Sequence, residues 1–162
     1  MTVYYTTAPV QSELWTKKIL YEFYNLRSPD FFKNENGKPY LAGNPLSFNL
    51  SHSGNLTALA IAQEEIGLDV QLRDDRPRAA ILRRLTPAER QEDFFKVWTA
   101  KESYIKYRGQ TLAALFNKLT FKRDTLFLNG NPLSETLCFS ELEGCTVCIC
   151  TRTPHSARFV KV

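Results

Sequence analysis

Residues 98–106 read Trp-Thr-Ala-Lys-Glu-Ser-Tyr-Ile-Lys, and the rest of the chain is best read outward from them. Wound as an α-helix, Trp98, Glu102 and Lys106 fall at i, i+4 and i+8 and share one stripe. An aromatic ring, a carboxylate and an ammonium then face a single small volume. A carboxylate there can hold a hard cation or take a proton, and the ammonium can neutralise a phosphate oxygen. The plainer alternative is an exposed helix carrying a Glu-to-Lys pair, worth about 0.2–0.5 kcal/mol.

Just upstream, Thr86-Pro87-Ala88-Glu89 places a cap residue before Pro at the first helical position and Glu at the third, a helix-start signal. The helix can run from 87 to about 108, with Gly109 as its stop. Asp93 is a second possible cap, so two consecutive helices are also allowed.

Towards the N-terminus, residues 66–72 (Ile-Gly-Leu-Asp-Val-Gln-Leu) form a strand candidate, preceded by two more at 46–50 and 55–62. Ser51-His52-Ser53-Gly54 joins those two. Residues 27–44 are polar and turn-rich; Gly37-Lys38-Pro39-Tyr40 lies within them, and Pro39 and Pro45 make a structured loop rather than a helix. Residues 11–25 form an amphipathic helix with Trp15, Ile19 and Phe23 on one stripe and Ser12 as its cap; residues 2–6 form a short strand. The charged run 74–77 interrupts the pattern and marks a join, followed by a short basic helix at 78–85. After Gln110 the chain turns β-rich at 119–128, 136–140, 146–150 and 157–160, with Asn129-Gly130 as a hairpin turn. The fold class expected is α+β, with two sheet-plus-helix halves, 1–73 and 74–162, packed as one compact unit.

The 162 residues suffice for a real core, and 43% hydrophobic with 23% charged residues is ordinary for a globular protein. A net charge of +4 permits an acidic partner or phosphorylated ligand but does not argue for nucleic-acid binding. No apolar run approaches a membrane span, and the first residues lack the pattern of a signal peptide, so the expected address is cytoplasmic with no membrane partner. The sequons at Asn49 and Asn55 are discounted on the same ground. Of the four cysteines, Cys148 and Cys150 face one side of a strand and Cys145 the other, unlike converging zinc ligands. With Cys138 they read as small buried hydrophobes.

Asp69 and Gln71 lie two apart on their strand and so share a face. With Glu102 opposite, two carboxylates and an amide oxygen form a plausible Mg²⁺ shell that substrate phosphates would complete. The alternative is that Asp69 meets a nearby arginine. Ser51 and His52 point to opposite faces of an extended chain, so they do not make a nucleophile–base pair. Their segment suits a phosphate, with Lys38 adding charge; a polar hairpin turn is the alternative.

Taken together and in this order, Gly-Lys-Pro, Asn-Leu-Ser-His-Ser-Gly, Ile-Gly-Leu-Asp and Trp-Thr-Ala-Lys-Glu-Ser-Tyr-Ile-Lys resemble the 4′-phosphopantetheinyl transferases. The likeness is to the monomeric, two-lobed, surfactin-synthetase-activating type, and it runs from about Trp15 to the C-terminus. It implies two pseudo-symmetric halves and Mg²⁺-dependent transfer of phosphopantetheine from coenzyme A, with release of 3′,5′-ADP. The acceptor it implies is a serine of an acidic acyl, peptidyl or aryl carrier protein. By that resemblance Asp69 and Glu102 hold the metal, with Mn²⁺ as an alternative ion, and Lys106 contacts the coenzyme A phosphates. Lys38, Ser51 and His52 belong to the nucleotide pocket, His52 on the 3′-phosphate. Glu102 is the candidate base; Glu89 lines the site as a reserve, in competition with a capping box to Thr86.

There are two departures. Gln71 stands where the family has a glutamate, and a neutral amide binds Mg²⁺ more weakly than a carboxylate. The N-terminus is short for the type, with Lys17 and Lys18 as the nearest substitutes for its basic contacts. Arg73, Arg76, Arg78, Arg83 and Arg84 form a basic stretch suited to steering an acidic carrier, or simply a solvated face. The rival readings are a non-catalytic coenzyme A-binding relative and a basic nucleic-acid-binding module.

Overall fold

Alternation of apolar residues, strongest at 56–62, 66–72 and 145–151, builds two sheets that meet over one core. The computed structural model describes residues 1–43, 46–76 and 78–162. Asn44, Pro45 and Pro77, assigned above to a loop and to the join, lie outside the described residues. Strand β1 (Thr2–Thr6) leads to helix α1 (Ser12–Tyr24), then β2 (Phe31–Lys33), β3 (Pro39–Leu41), β4 (Ser47–Ser53), β5 (Leu56–Ala62) and β6 (Ile66–Leu72). Helix α2 (Ala79–Leu82) and a 3-10 turn (Glu89–Gln91) precede α3 (Phe94–Tyr107). Helix α4 (Leu112–Leu115) follows, with a second 3-10 turn (Phe116–Lys118). The remaining strands are β7 (Leu119–Lys122), β8 (Thr125–Leu128), β9 (Asn131–Pro132), β10 (Thr136–Leu142), β11 (Cys145–Thr151) and β12 (Arg158–Lys161).

The first main sheet runs β12-β1-β5-β4 and the second β10-β11-β6. Period-two alternation splits β5 and β6 cleanly. Leu56, Ala58 and Ala60 meet Ile66, Leu68, Val70, Val147 and Ile149 between the sheets. On the outer face of the first sheet, Leu59 and Ile61 pack on Trp15, Ile19 and Leu20 of α1. On the outer face of the second, Cys148 and Cys150 pack with Val97, Ala100 and Tyr104 of α3. The layers are therefore helix, sheet, sheet, helix, an α+β fold as expected.

The expected division at 73/74 does not follow the sheets. Strand β6 pairs with β11 in the second sheet, and β12 pairs in parallel with β1 in the first. Each half lends a strand to the other's sheet, because burying both faces of β5 and β6 needs partners from across the chain.

Local differences have local causes. Gln11, not Ser12, caps α1, its side chain accepting from Leu14 N at 2.6 Å. Asp93 takes the cap of α3 by accepting from Phe95 N and Lys96 N, so the two-element option is the one adopted. Residues 51–53 extend β4 rather than forming its turn, which Gly54 makes at φ 59°. The 119–128 stretch is a hairpin turned by Arg123 and Asp124, both at positive φ, a turn without the glycine that would have announced it. Residues 27–44 contain the hairpin of β2 and β3.

Candidate active site

The site forms where β6, β4 and α3 converge. Residues 67, 69 and 71 of β6 point away from the inter-sheet core, towards α3. Gly67 makes that approach possible: a Cβ there would lie 1.9 Å from Ser103 O and 2.5 Å from Tyr107 N. The helix therefore lies against bare strand backbone, two residues along β6 from Asp69.

Asp69 is 5% exposed. Its Oδ1 accepts from Lys106 Nζ at 2.7 Å and from Ser51 Oγ at 3.0 Å. Its Oδ2 is buried and has no hydrogen-bond partner among the described residues. An orphaned carboxylate oxygen is costly unless something fills the role of donor or cation. Burial pushes the Asp69 carboxyl upward, with Lys106 and then Ser51 opposing it. Glu102, one turn before Lys106, is pushed up to about 6, first by burial and then by the Asp69 charge, with Lys106 opposing. Glu102, raised by the charge of Asp69, together with the bare buried oxygen of Asp69 and the Lys106 ammonium on its other oxygen, makes a donor set that fits a hard divalent cation. Gln71 shares the face of Asp69, and its Nε2 donates to Ser53 Oγ at 3.3 Å, so the amide carbonyl oxygen is its remaining donor atom for a cation.

The Asn-Leu-Ser-His-Ser stretch has a structural role that its sequence did not reveal. Asn49 Oδ1, Ser51 Oγ and Ser53 Oγ accept from Leu68 N (2.9 Å), Val70 N (3.2 Å) and Leu72 N (2.9 Å). Three side chains of β4 thus stand in for a backbone ladder along the free edge of β6. The signal available in sequence was polar residues at alternate positions of a buried strand.

Ser51 and His52 do not share one phosphate pocket. Ser51 is buried among Asp69, Val70 and Lys106, whereas His52 is exposed on the other face of β4. There it borders a cleft of about 310 Å³ with Thr7, Ser12, Gly54 and Asn55. Ser12 also borders a groove of about 250 Å³ lined by Lys33, Pro39, Phe48 and Leu50.

Lys38 and Glu89 do not join the cluster, and of the two roles open to Glu89 the capping box is the one observed. Lys38 is buried, and its ammonium donates to Glu65 Oε1 (2.5 Å), Ile66 O (3.1 Å) and Tyr107 O (3.1 Å). All three of its protons are spent. Asn34 and Asn36 from the same hairpin donate to Gly109 O at 2.9 and 3.0 Å, so this hairpin closes the C-terminal end of α3. Glu89 is 1% exposed. It accepts from Thr86 N (2.8 Å) and Phe121 N (2.9 Å) and pairs with Lys101 at 2.7 Å. Glu89 N in turn donates to Thr86 Oγ1, so the capping box is the role it takes. A carboxylate so enclosed does not reach a substrate hydroxyl.

Among the basic stretch, Arg73 pairs with Asp93 and Glu141, and Arg76 and Arg78 pair with Asp74. Arg83 and Arg84 are exposed and pair with no acid among the described residues. No helix among the described residues is long and apolar enough to cross a membrane. The four cysteines are free, three of them buried on the faces expected.

Residues 65–150, which carry Asp69, Glu102 and Lys106, match the family described as the 4′-phosphopantetheinyl transferase superfamily. The chain is 33% identical over 145 residues to 4′-phosphopantetheinyl transferase AcpT of Escherichia coli (strain K12), covering 79% of this chain and 69% of that protein. It is 31% identical over 175 residues to 4′-phosphopantetheinyl transferase psf-1 of Bacillus pumilus, covering 93% and 73% respectively. It is 37% identical over 97 residues to 4′-phosphopantetheinyl transferase HetI of Nostoc sp. (strain PCC 7120), covering 49% and 41%. This chain therefore belongs to the 4′-phosphopantetheinyl transferase superfamily and is an enzyme of that kind.

Proposed function

We propose that the chain transfers the 4′-phosphopantetheine arm of coenzyme A to a serine hydroxyl of an apo carrier protein, with Asp69 and Glu102 holding a divalent cation. The observation that carries this reading is the bare, buried Asp69 Oδ2 beside Glu102 and Lys106. A divalent cation bound there would neutralise charge on the coenzyme A diphosphate. Mg²⁺ is the proposed ion, with Gln71 as a weak third donor and Mn²⁺ as an alternative.

In the step itself, the carrier serine oxygen attacks the β-phosphorus and forms the new phosphodiester. The bond to the bridging oxygen breaks, and 3′,5′-ADP leaves. Glu102 takes the serine proton as the proposed general base. Lys106 places its positive charge beside the departing phosphate, where negative charge grows. His52, with the Pro39–Phe48–Leu50 groove alongside, is the proposed seat of the coenzyme's 3′-phosphate and base. Similarity to psf-1 and the two helix-covered sheets support the two-lobed, surfactin-synthetase-activating type within the family. The similarities favour neither the non-catalytic alternative nor the nucleic-acid one.

The test is to incubate a panel of acyl, peptidyl and aryl apo-carriers with coenzyme A, Mg²⁺ and the enzyme, and weigh the carriers by mass spectrometry. A gain of one phosphopantetheine is expected with wild type and none with Glu102→Ala, while Lys106→Ala gives a folded protein with reduced transfer. Near-wild-type transfer by Glu102→Ala would remove the assignment.

A further inference from the structure

Of the three β4 side chains that fasten the edge of β6, Ser51 alone also touches a carboxylate. Its Oγ stands 3.2 Å from Val70 N, 2.9 Å from Lys106 Nζ and 3.0 Å from Asp69 Oδ1. A hydroxyl has one hydrogen and two lone pairs. The amide and the ammonium can only donate, so both lone pairs are taken. The single hydrogen must then go to Asp69 Oδ1. Every bonding capacity of Ser51 is used, at 4% exposure, with none left for a ligand.

The two oxygens of Asp69 are thereby made unequal. Oδ1 is held by Ser51 and Lys106 inside the protein; Oδ2 is buried and bare. We propose that Ser51 is a positioning residue for the metal carboxylate: it locks Asp69 so that Oδ2 is the oxygen presented to the cation. The inference rests on the reading of Asp69 and Glu102 as the metal ligands. It gives Ser51 a different task from the nucleotide contact that family resemblance implied. Partners of this kind orient ligands already shaped by the fold, and their loss costs about tenfold to a hundredfold in metal affinity.

The experiment titrates Mn²⁺ alone into full-length wild type, Ser51→Ala, Ser51→Cys and Asn49→Ala, reading free Mn²⁺ by electron paramagnetic resonance. Coenzyme A binding is measured separately in chelator by calorimetry. Asn49→Ala removes a neighbouring rung that touches no carboxylate, so it reports what loosening β4 against β6 does by itself. Both Ser51 variants are expected to weaken Mn²⁺ binding by about tenfold to a hundredfold, with coenzyme A binding in chelator unchanged and Asn49→Ala binding Mn²⁺ as wild type does. Should the alanine variant not fold, the cysteine variant, close to serine in size but a poor donor, decides. A folded Ser51 variant that binds Mn²⁺ like wild type overturns the proposal, as does a loss confined to coenzyme A. If wild type itself binds no Mn²⁺, the cation reading of Asp69 and Glu102 falls first.

Discussion

At the scale of single residues, Glu102, the proposed metal ligand and base, sets function against stability. Its carboxyl is raised from 4.5 to about 6 by burial and by the neighbouring Asp69 charge. In the window between those values the folded chain binds the extra proton, so the stability contributed by Glu102 is fully present below 4.5 and is lost as pH rises through about 6. Above that window the ionised carboxylate costs the fold on the order of 1 kcal/mol, after allowing for solvent screening. Glu102→Gln is therefore expected to unfold at higher urea than wild type at pH 7 in chelator and to lose the slope across this window. Transfer activity should vanish in the same variant. Urea titrations at several pH values check it, and a wild type no less stable than Glu102→Gln would contradict the sign. The spacing of Glu102 and Lys106 was readable because helix periodicity is local. The saturation of Ser51, the enclosure of Glu89 and the three bonds of Lys38 were not readable, since each depends on partners 12 to 69 residues away.

At the scale of elements, everything the site needs from α3 depends on how closely it lies on β6. Gly67 sets that distance, since any Cβ would collide with the helix backbone at Ser103 and Tyr107. Neither strand nor helix backbone yields cheaply. Gly67→Ala is expected to destabilise the protein by at least about 3 kcal/mol, beyond ordinary overpacking. Any folded remainder should transfer poorly because α3 has been displaced. Thermal melts with an activity assay on the folded fraction test this; a variant as stable and as active as wild type would show the contact to be soft. The hairpin carrying Lys38 fixes the other end of the helix. Lys38→Met should lower the melting temperature, since three acceptors lose their donor at a cost of about 1–3 kcal/mol. The KM for coenzyme A should stay the same. A raised KM at unchanged stability would return Lys38 to the nucleotide pocket.

At the scale of the whole molecule, the two sheets trade edge strands, β6 to the second and β12 to the first. The site lies at the seam this exchange creates, so neither half holds it alone. The same folding sorts the arginines. Arg73, Arg76 and Arg78 are tied to acids of the chain, whereas Arg83 and Arg84, beside the exposed Leu82, pair with no acid among the described residues and are the proposed contacts for a carrier. Arg83→Glu with Arg84→Glu is expected to slow carrier association by about tenfold at low salt, with the difference shrinking as salt rises. Arg76→Glu should do less. Stopped-flow association with one carrier at several ionic strengths measures it, and identical rates for all variants would mean the carrier docks elsewhere.

By itself the sequence determined the α+β class, the strand over 66–72, the long helix before Gly109 and the family, because these rest on periodicity and on motifs contiguous in the chain. It also placed Asp69 and Gln71 on one face and Glu102 and Lys106 on one stripe, which local geometry guarantees. Only the tertiary structure decided which acids are free. Whether a carboxylate is bare like Asp69 Oδ2 or enclosed like Glu89 turns on donors brought from distant strands. Burial makes that difference decisive: away from water, each hydrogen bond must be found within the protein or left for a ligand to supply.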